Sequence, residues 1–322
     1  MTLVYPWGNT RRYNSWADHC KKQYGSRLQR VSINAGFTCP NRDGTIGTGG
    51  CTYCDNRSFS PAYCHTNLSI TQQINTGLEF LKKRYQRTSK FIAYFQAYSN
   101  TYSDIGHLKE LYLEALTHPE IFGIAIGTRP DCIDEEKLDF LAHLSKKHFV
   151  SIEYGIESCY NKTLLRINRG HTYEHSAEAI ELSSARGLHT GAHIMFGLPG
   201  ETRSMMLDQA QILSGLPINA IKFRQLQIVK GTRMAEEYSQ HPENFDLFSM
   251  EEYIDFVVKF IERLRPEIGI ERLAGEVPPV FRTGSQGWGG LRSDQVAALI
   301  EKRMAELDTW QGRLFSQQTA ST

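Results

Sequence analysis

Leu28 to Cys54 reads LQRVSINAGFTCPNRDGTIGTGGCTYC. Leu28–Asn34 is a run of strand length, rich in apolar and β-branched residues. Directly behind it comes a loop with Cys39, Cys51 and Cys54 in the spacing Cys-x11-Cys-x2-Cys. Gly44, Gly47, Gly49 and Gly50 let this loop wrap tightly and bring backbone amides close to a ligand. A strand that runs straight into such a loop puts the cysteines at the strand's C-terminal end.

The same order of elements repeats downstream. Short β-branched or aromatic runs at Lys90–Gln96, Phe122–Gly127, Phe149–Tyr154, Leu188–Phe196 and Ala220–Val229 alternate with helical periods near Thr71–Tyr85, Gly106–Thr117, Asp134–Lys147, Thr172–Arg186 and Glu201–Gly215. Asp134 is placed to N-cap the run Glu135–Lys147, Gly187 stands where a C-terminal glycine belongs, and Ser249 with Glu252 makes a capping box for Ser249–Leu264. Six strands alternating with helices predict a parallel α/β sheet with right-handed crossovers, either doubly wound or an incomplete β/α barrel. In both, ligands sit at the C-terminal ends of strands, where the cysteine loop projects.

Three thiolates are one short of a closed tetrahedral site, so a metal centre held by them keeps an open position. A four-iron cluster on Cys39, Cys51 and Cys54 uses all three and leaves one iron free. A structural zinc site would need Cys64 or His65 as fourth ligand. A thiol redox pair would need only Cys51-Thr-Tyr-Cys54 and leaves Cys39 without a role.

Bulk properties narrow the field. The 322 residues are 40% hydrophobic and 22% charged with net charge +1, so nothing pulls the whole chain toward nucleic acid or membrane. Lys82-Lys83-Arg84 and Lys146-Lys147-His148 read as solvated helix faces. No apolar run approaches the ~18 residues of a membrane span, and Met1–Arg12 lacks a signal-peptide core. The expectation is a cytoplasmic chain that contacts no membrane. Seven cysteines, an odd number, argue against a disulfide framework and make Cys20, Cys64, Cys132 and Cys159 buried single thiols by default.

The cysteine loop resembles that of the radical S-adenosylmethionine (SAM) superfamily, in which an aromatic residue precedes the third cysteine, as Tyr53 does here. The wide first gap is similar to the variant in the Elongator catalytic subunit. So are Thr128-Arg129-Pro130-Asp131-Cys132, Glu153-Tyr154-Gly155-Ile156-Glu157-Ser158, Asn168-Arg169-Gly170-His171-Thr172, His193 to Thr202 (HIMFGLPGET) and Ile228-Val229-Lys230-Gly231-Thr232. Together they run in order from about Val31 to Met234. Asn34 to Gly47 and Tyr94-Phe95-Gln96-Ala97-Tyr98 resemble the YhcC-type radical SAM proteins most closely.

The resemblance implies a partial (β/α)6 TIM-like barrel over residues 28–235, an N-terminal extension over 1–27 and a C-terminal extension over 236–322. It implies a [4Fe-4S] cluster on Cys39, Cys51 and Cys54, and SAM chelated to the open iron. An electron from an external donor such as flavodoxin or ferredoxin would cleave SAM to methionine and a 5′-deoxyadenosyl radical. Tyr53 would face the adenine, or merely pack. Glu157 would accept from the ribose hydroxyls. The superfamily's Gly-Gly-Glu-like turn for the methionine amine is replaced by Phe95-Gln96-Ala97-Tyr98, which leaves Gln96 in that place. Arg129 and Arg169 would each bind a carboxylate or phosphate, or else make a structural ion pair. Gly197 and Gly200, around Pro199, would admit backbone close to the adenine, or simply turn strand into helix. Lys222 and Arg224 alternate with apolar residues on the sixth strand and Lys230 follows it; inward-facing members of this set would meet an anionic substrate, while His193 reads as a packed histidine. The Elongator-like motifs point to tRNA, at a wobble uridine, as substrate, with a small molecule as the alternative.

After about residue 265 the alternation weakens. Pro278, Pro279 and Trp288 are placed to close the barrel mouth or touch substrate, Gly284–Gly290 reads as loop, Ser293–Trp310 as an amphipathic helix, and the tail from Ser316 as frayed.

Overall fold

The structure, a computed structural model, describes residues 3–85, 88–283 and 288–316. In chain order these form α1 (Trp16–Tyr24), β1 (Leu28–Ile33), α2 (Ile70–Arg84), β2 (Lys90–Phe95), α3 (Ile105–Thr117), β3 (Ile121–Thr128), α4 (Glu135–Ser145), β4 (Phe149–Glu157), α5 (Asn161–Arg166), α6 (Tyr173–Ala185), β5 (His189–Phe196), α7 (Arg203–Ser214), β6 (Ala220–Gln225), α8 (Arg233–Gln240), α9 (Met250–Arg263), β7 (Gly269–Arg272) and α10 (Ser293–Glu306). The expected caps are in place: Asp134 accepts from the Lys137 amide, Ser249 and Glu252 form their box, and Gly187 sits at φ 72°. Residues 317–322, beyond Ser316 in the expected frayed tail, and 284–287 of the expected loop lie outside the described residues.

All neighbouring strands pair in parallel, in the order β1 to β7. Sequential order is the barrel alternative; a doubly wound sheet would reverse at a switch point. Curl is shown by contacts the ladder cannot make. Glu153 on β4 pairs with Arg30 on β1 and with Lys222 on β6, and Glu271 on β7 reaches Arg30 at 2.6 Å across the concave side. The sheet is therefore a curled, open half-barrel with β1 and β7 as its edges.

Alternation of side chains explains the two faces. Val31, Ile33, Phe95, Ile126, Ile152, Ile194 and Phe223 pack outward with Ile74, Leu108, Leu138, Ile180, Met206 and Phe260 of the helices in one continuous core. Each such fully buried side chain contributes about 1.5–3 kcal/mol. The opposite parity, including Arg30, Tyr94, Glu153, His193, Lys222 and Arg224, faces the concave side.

A seventh strand extends the expected six. β7 has four residues, two of them charged, so it carries no apolar run to mark it. Residues 3–27 of the N-terminal segment are also structured. Trp16 of α1 lies against His189 and Phe149 at ring distances of 4.4 and 6.3 Å, beneath the strand beginnings. Ser15 bridges Ile270 of β7. This end is filled, and the strand C-termini form the accessible end.

Candidate functional site

The cysteine loop is clamped by segments far away in sequence. Asn41 donates to the Asn168 carbonyl at 2.5 Å, Asn168 donates to Gly50 O at 2.8 Å, and the Thr52 amide donates to Ile167 O at 3.0 Å. Arg233, at the start of α8, donates to Gly50 O at 2.7 Å, and Arg42 donates to Cys54 O at 2.7 Å. Gly50 sits at φ 74°, and a Cβ there would lie 2.7 Å from Arg42 Nε, so conformation and space both require glycine.

Cys39, Cys51, Cys54, Tyr53, Gln96, Arg129, Glu157 and Arg169 line one cavity at the strand C-termini. Counting its open mouth, the cavity measures about 1330 Å³. Gly197 is not among the lining residues. Its amide lies 3.0 Å from Met206 Sδ, and φ values of 89° and 94° at Gly197 and Gly200 make the strand-to-helix turn.

Within the cavity the predicted residues divide by partner. Arg129 is engaged by Asp131 at 2.7 and 2.9 Å and by the Arg169 carbonyl at 2.7 Å, which is the ion-pair alternative. Arg169 donates to Gly155 O at 2.6 Å and faces Cys51 Sγ at 3.5 Å, while its buried Nε has no partner among the described residues. Gln96 donates to Ser32 Oγ at 2.9 Å. Tyr53 is half-buried and packs against the apolar cluster that includes Leu164, Met195 and Leu226; burial, then the nearby Glu157 charge, keeps its hydroxyl protonated.

Glu157 stands apart. The β4–β5 register slips between Gly155 and Glu157, and Glu157 takes φ 69°, a left-handed conformation costing about 1–2 kcal/mol for a residue with a Cβ. Its Oε2 is buried without a partner among the described residues. A Cβ on Gly155 would lie 3.0 Å from Glu157 Oε1 and 2.7 Å from Arg169 Nη2, so a glycine leaves room for both.

Beneath lies a paired layer. Glu153 accepts from Lys222 at 2.5 Å, faces His193 at 3.0 Å and also pairs with Arg30. Burial opposes its charge, yet Arg30 and Lys222 hold the carboxyl well below the usual carboxylate range. Burial, then the Lys222 charge, pushes His193 down to about 4. Lys230, by contrast, is exposed and donates to Val280 O at 3.3 Å.

The family model for the radical SAM superfamily matches residues 38–211. The chain belongs to the radical SAM superfamily. A second model, the Radical_SAM C-terminal domain, matches residues 218–306. The Uncharacterized protein YtqA of Bacillus subtilis is 31% identical over 97% of this radical SAM chain and 95% of its own length. Protein YhcC of Escherichia coli is 32% identical over 81% of this chain and 82% of its own. Among solved structures, Methanocaldococcus infernus Elp3 with an N-terminal deletion superposes with TM-score 0.66 at 18% identity, covering 88% of this chain and 64% of that one, which supports the shared fold.

Radical SAM proteins bind a [4Fe-4S] cluster and SAM, and generally draw an electron from an external donor. The residues fit that pair. Cys39, Cys51 and Cys54 line the same cavity, and burial, then the Cys51 thiol, pushes Cys54 up to about 11, so its thiolate requires a cationic partner. The unpartnered Glu157 carboxylate is a ready acceptor for hydroxyls. Zinc is a poor fit. Cys64 turns away to donate to Ser32 O at 3.1 Å, and His65 is exposed. Cys20, Cys132 and Cys159 are buried free thiols.

Sequence reading missed Asn41 and Asn168, which lock the loop, and Arg272 and Gly275 in the opposite wall. The first pair lay inside motifs already singled out; the second lies where the alternation fades. Of the residues expected at the mouth, Pro278, Pro279 and Trp288 do not line the cavity, whereas Gly275, Glu276 and Val277 do. Trp288 instead donates to Phe248 O at 3.2 Å. No helix among the described residues is long and apolar enough to cross a membrane.

Proposed function

We propose that this chain is an enzyme that reductively cleaves SAM, with the cluster on Cys39, Cys51 and Cys54 and the cofactor's ribose on Glu157. The observation that carries this reading is one cavity lined by three thiols and a strained carboxylate whose Oε2 has no partner among the described residues. When bound, the cluster supplies the electron that breaks a carbon–sulfur bond of SAM, giving methionine and a 5′-deoxyadenosyl radical. The chain's own part is to hold and orient. Tyr53 offers a flat apolar face to the adenine, Gln96 a polar group to the methionine amine, and Arg169 a guanidinium to an anionic group beside Cys51. Arg129, tied to Asp131, props the Arg169 backbone, and Gly197 shapes the turn after β5. Residues 28–235 would carry this chemistry, with the described part of 1–27 closing the barrel floor and that of 236–322 the β6–β7 side. Flavodoxin or ferredoxin would serve as donor, in the reducing cytoplasm.

The motif resemblance to Elongator supports a tRNA uridine as acceptor; the depth of unpaired cationic groups in the cavity supports a small molecule. The test of the shared reading is anaerobic purification. A brown protein with absorbance at about 400 nm, about four irons per chain, and 5′-deoxyadenosine on addition of SAM and reductant is expected. A colourless protein with one tight zinc sinks it.

A further inference from the structure

The cavity has a second wall that the cofactor reading leaves unused. It is built by β6, β7 and the strip after β7, and it includes Arg224 and Arg272. The other lumen charges of β6 and β7 are spoken for: Lys222 and Glu271 lie 3.4 Å apart, and both reach the Arg30–Glu153 group. Arg224 and Arg272 make no ion pair among the described residues. Among the described residues Arg224 Nε is buried without a partner, and Arg272 donates only to Phe223 O, at 3.4 Å. Glu157 acts on Arg224 through space, but no ion pair joins them. Burial, then the Arg224 charge, lowers the Arg272 pKa, whereas burial of Arg224 is outweighed by nearby groups, the Glu157 charge first, which raise its own.

The wall is built to hold this arrangement. Gln225 exchanges two hydrogen bonds with Gly275, at 3.0 and 2.9 Å, and Gln227 accepts from the Val277 amide at 3.0 Å. A Cβ on Gly275 would lie 2.8 Å from Arg224 Cβ, so the strip presses directly on the arginine stem.

We infer that Arg224 and Arg272 form an anion subsite for a carboxylate or phosphate of a small substrate, on the wall across from the cysteines; this rests on the radical SAM reading of the other wall. Two neighbouring guanidiniums match the planar, bidentate geometry of such groups. Depth favours a small molecule over RNA. Arg224 lies one inward position above Lys222, inside the half-barrel. A terminal carboxylate or phosphate reaches that level, whereas an internal phosphodiester, with a nucleotide on each side, meets the 273–277 strip and the cysteine loop first.

The test uses cluster-reconstituted protein under argon, saturated with S-adenosylhomocysteine, and titrates inorganic phosphate, succinate and a short oligoribonucleotide. Binding of phosphate or succinate, weakened about tenfold or more in Arg224→Gln/Arg272→Gln, is expected; which of the two binds identifies the group. Lysine at either position should recover part of the affinity, and thermal unfolding of each variant checks that it folds. The subsite is overturned if neither small anion binds the parent protein, if their affinity ignores the substitutions, or if S-adenosylhomocysteine affinity falls as far as theirs. Arginine-dependent binding of the oligonucleotide alone overturns the small-substrate assignment. Failure of the parent protein to take up iron or S-adenosylhomocysteine would instead refute the radical SAM reading, so the two failures are distinct.

Discussion

The two walls of the cavity are built differently. The cysteine wall is a loop without regular strands, held by hydrogen bonds from residues more than a hundred positions away, such as Asn168 to Gly50. The β6–β7 wall is regular backbone with charges placed by strand parity. The first wall offers thiols and a strained carboxylate; the second offers guanidiniums. On the proposed reading the cofactor is met by the first wall and an anionic group of the substrate by the second.

The largest expected effect lies on the cysteine wall. Cys39→Ala, Cys51→Ala or Cys54→Ala should each abolish cluster content and SAM cleavage, read as iron per chain and visible absorbance. Cys64→Ala should keep both. Loss of iron in Cys64→Ala alone would break the comparison by moving the metal to another site.

The layer under both walls comes next. Glu153→Ala leaves Arg30 and Lys222 facing each other with only Glu271 to share, and removing one partner of a buried pair costs about 3–5 kcal/mol. Urea unfolding should show that loss, whichever wall is intact. A change below about 1 kcal/mol would mean water already screens this layer.

Much of the fold was open to reading because its signals are local. Asp134, Ser249 and Gly187 mark helix ends by their own chemistry, and the outward strand residues recur with period two. β7 escaped because Gly269–Arg272 is short and half charged, and its place is set by pairing with β6 and by the N-terminal segment. In the site, the cysteines and Glu157 stood in motifs. That Arg129 is spent on Asp131, that Gly197 faces Met206, and that Arg272 joins Arg224 depend on which side chains meet in space, and no periodicity encodes that.

Acid should weaken the barrel from its interior. Burial first depresses both His189 and His193, each to about 4 from 6.5. Each is neutral when folded and binds a proton more readily when unfolded. Their stabilisation is thus complete above pH 6.5 and is lost as pH falls toward 4. At pH 5 the loss should be roughly 1–2 kcal/mol per histidine, read by urea unfolding at pH 7 and 5. His189→Asn should flatten part of that slope; an unchanged slope would assign it to carboxylates.

The smallest effect separates strain from binding at the meeting point of the two walls. Glu157 holds φ 69° and a buried, unpartnered Oε2, and both work against folding. Glu157→Gly relieves the backbone by about 1–2 kcal/mol and removes the orphaned carboxylate. The added freedom of the unfolded chain offsets about 0.4–1 kcal/mol of this. The variant should be as stable as the parent or about 1 kcal/mol more so, keep its iron, and bind SAM about tenfold more weakly, the loss of roughly one charge-assisted hydrogen bond. Stability and affinity moving in opposite directions would mean that the strain is maintained for the cofactor. Both falling together would make the kink a structural part of β4, and unchanged affinity would remove Glu157 from the SAM site and leave the cysteine loop to hold the cofactor without it.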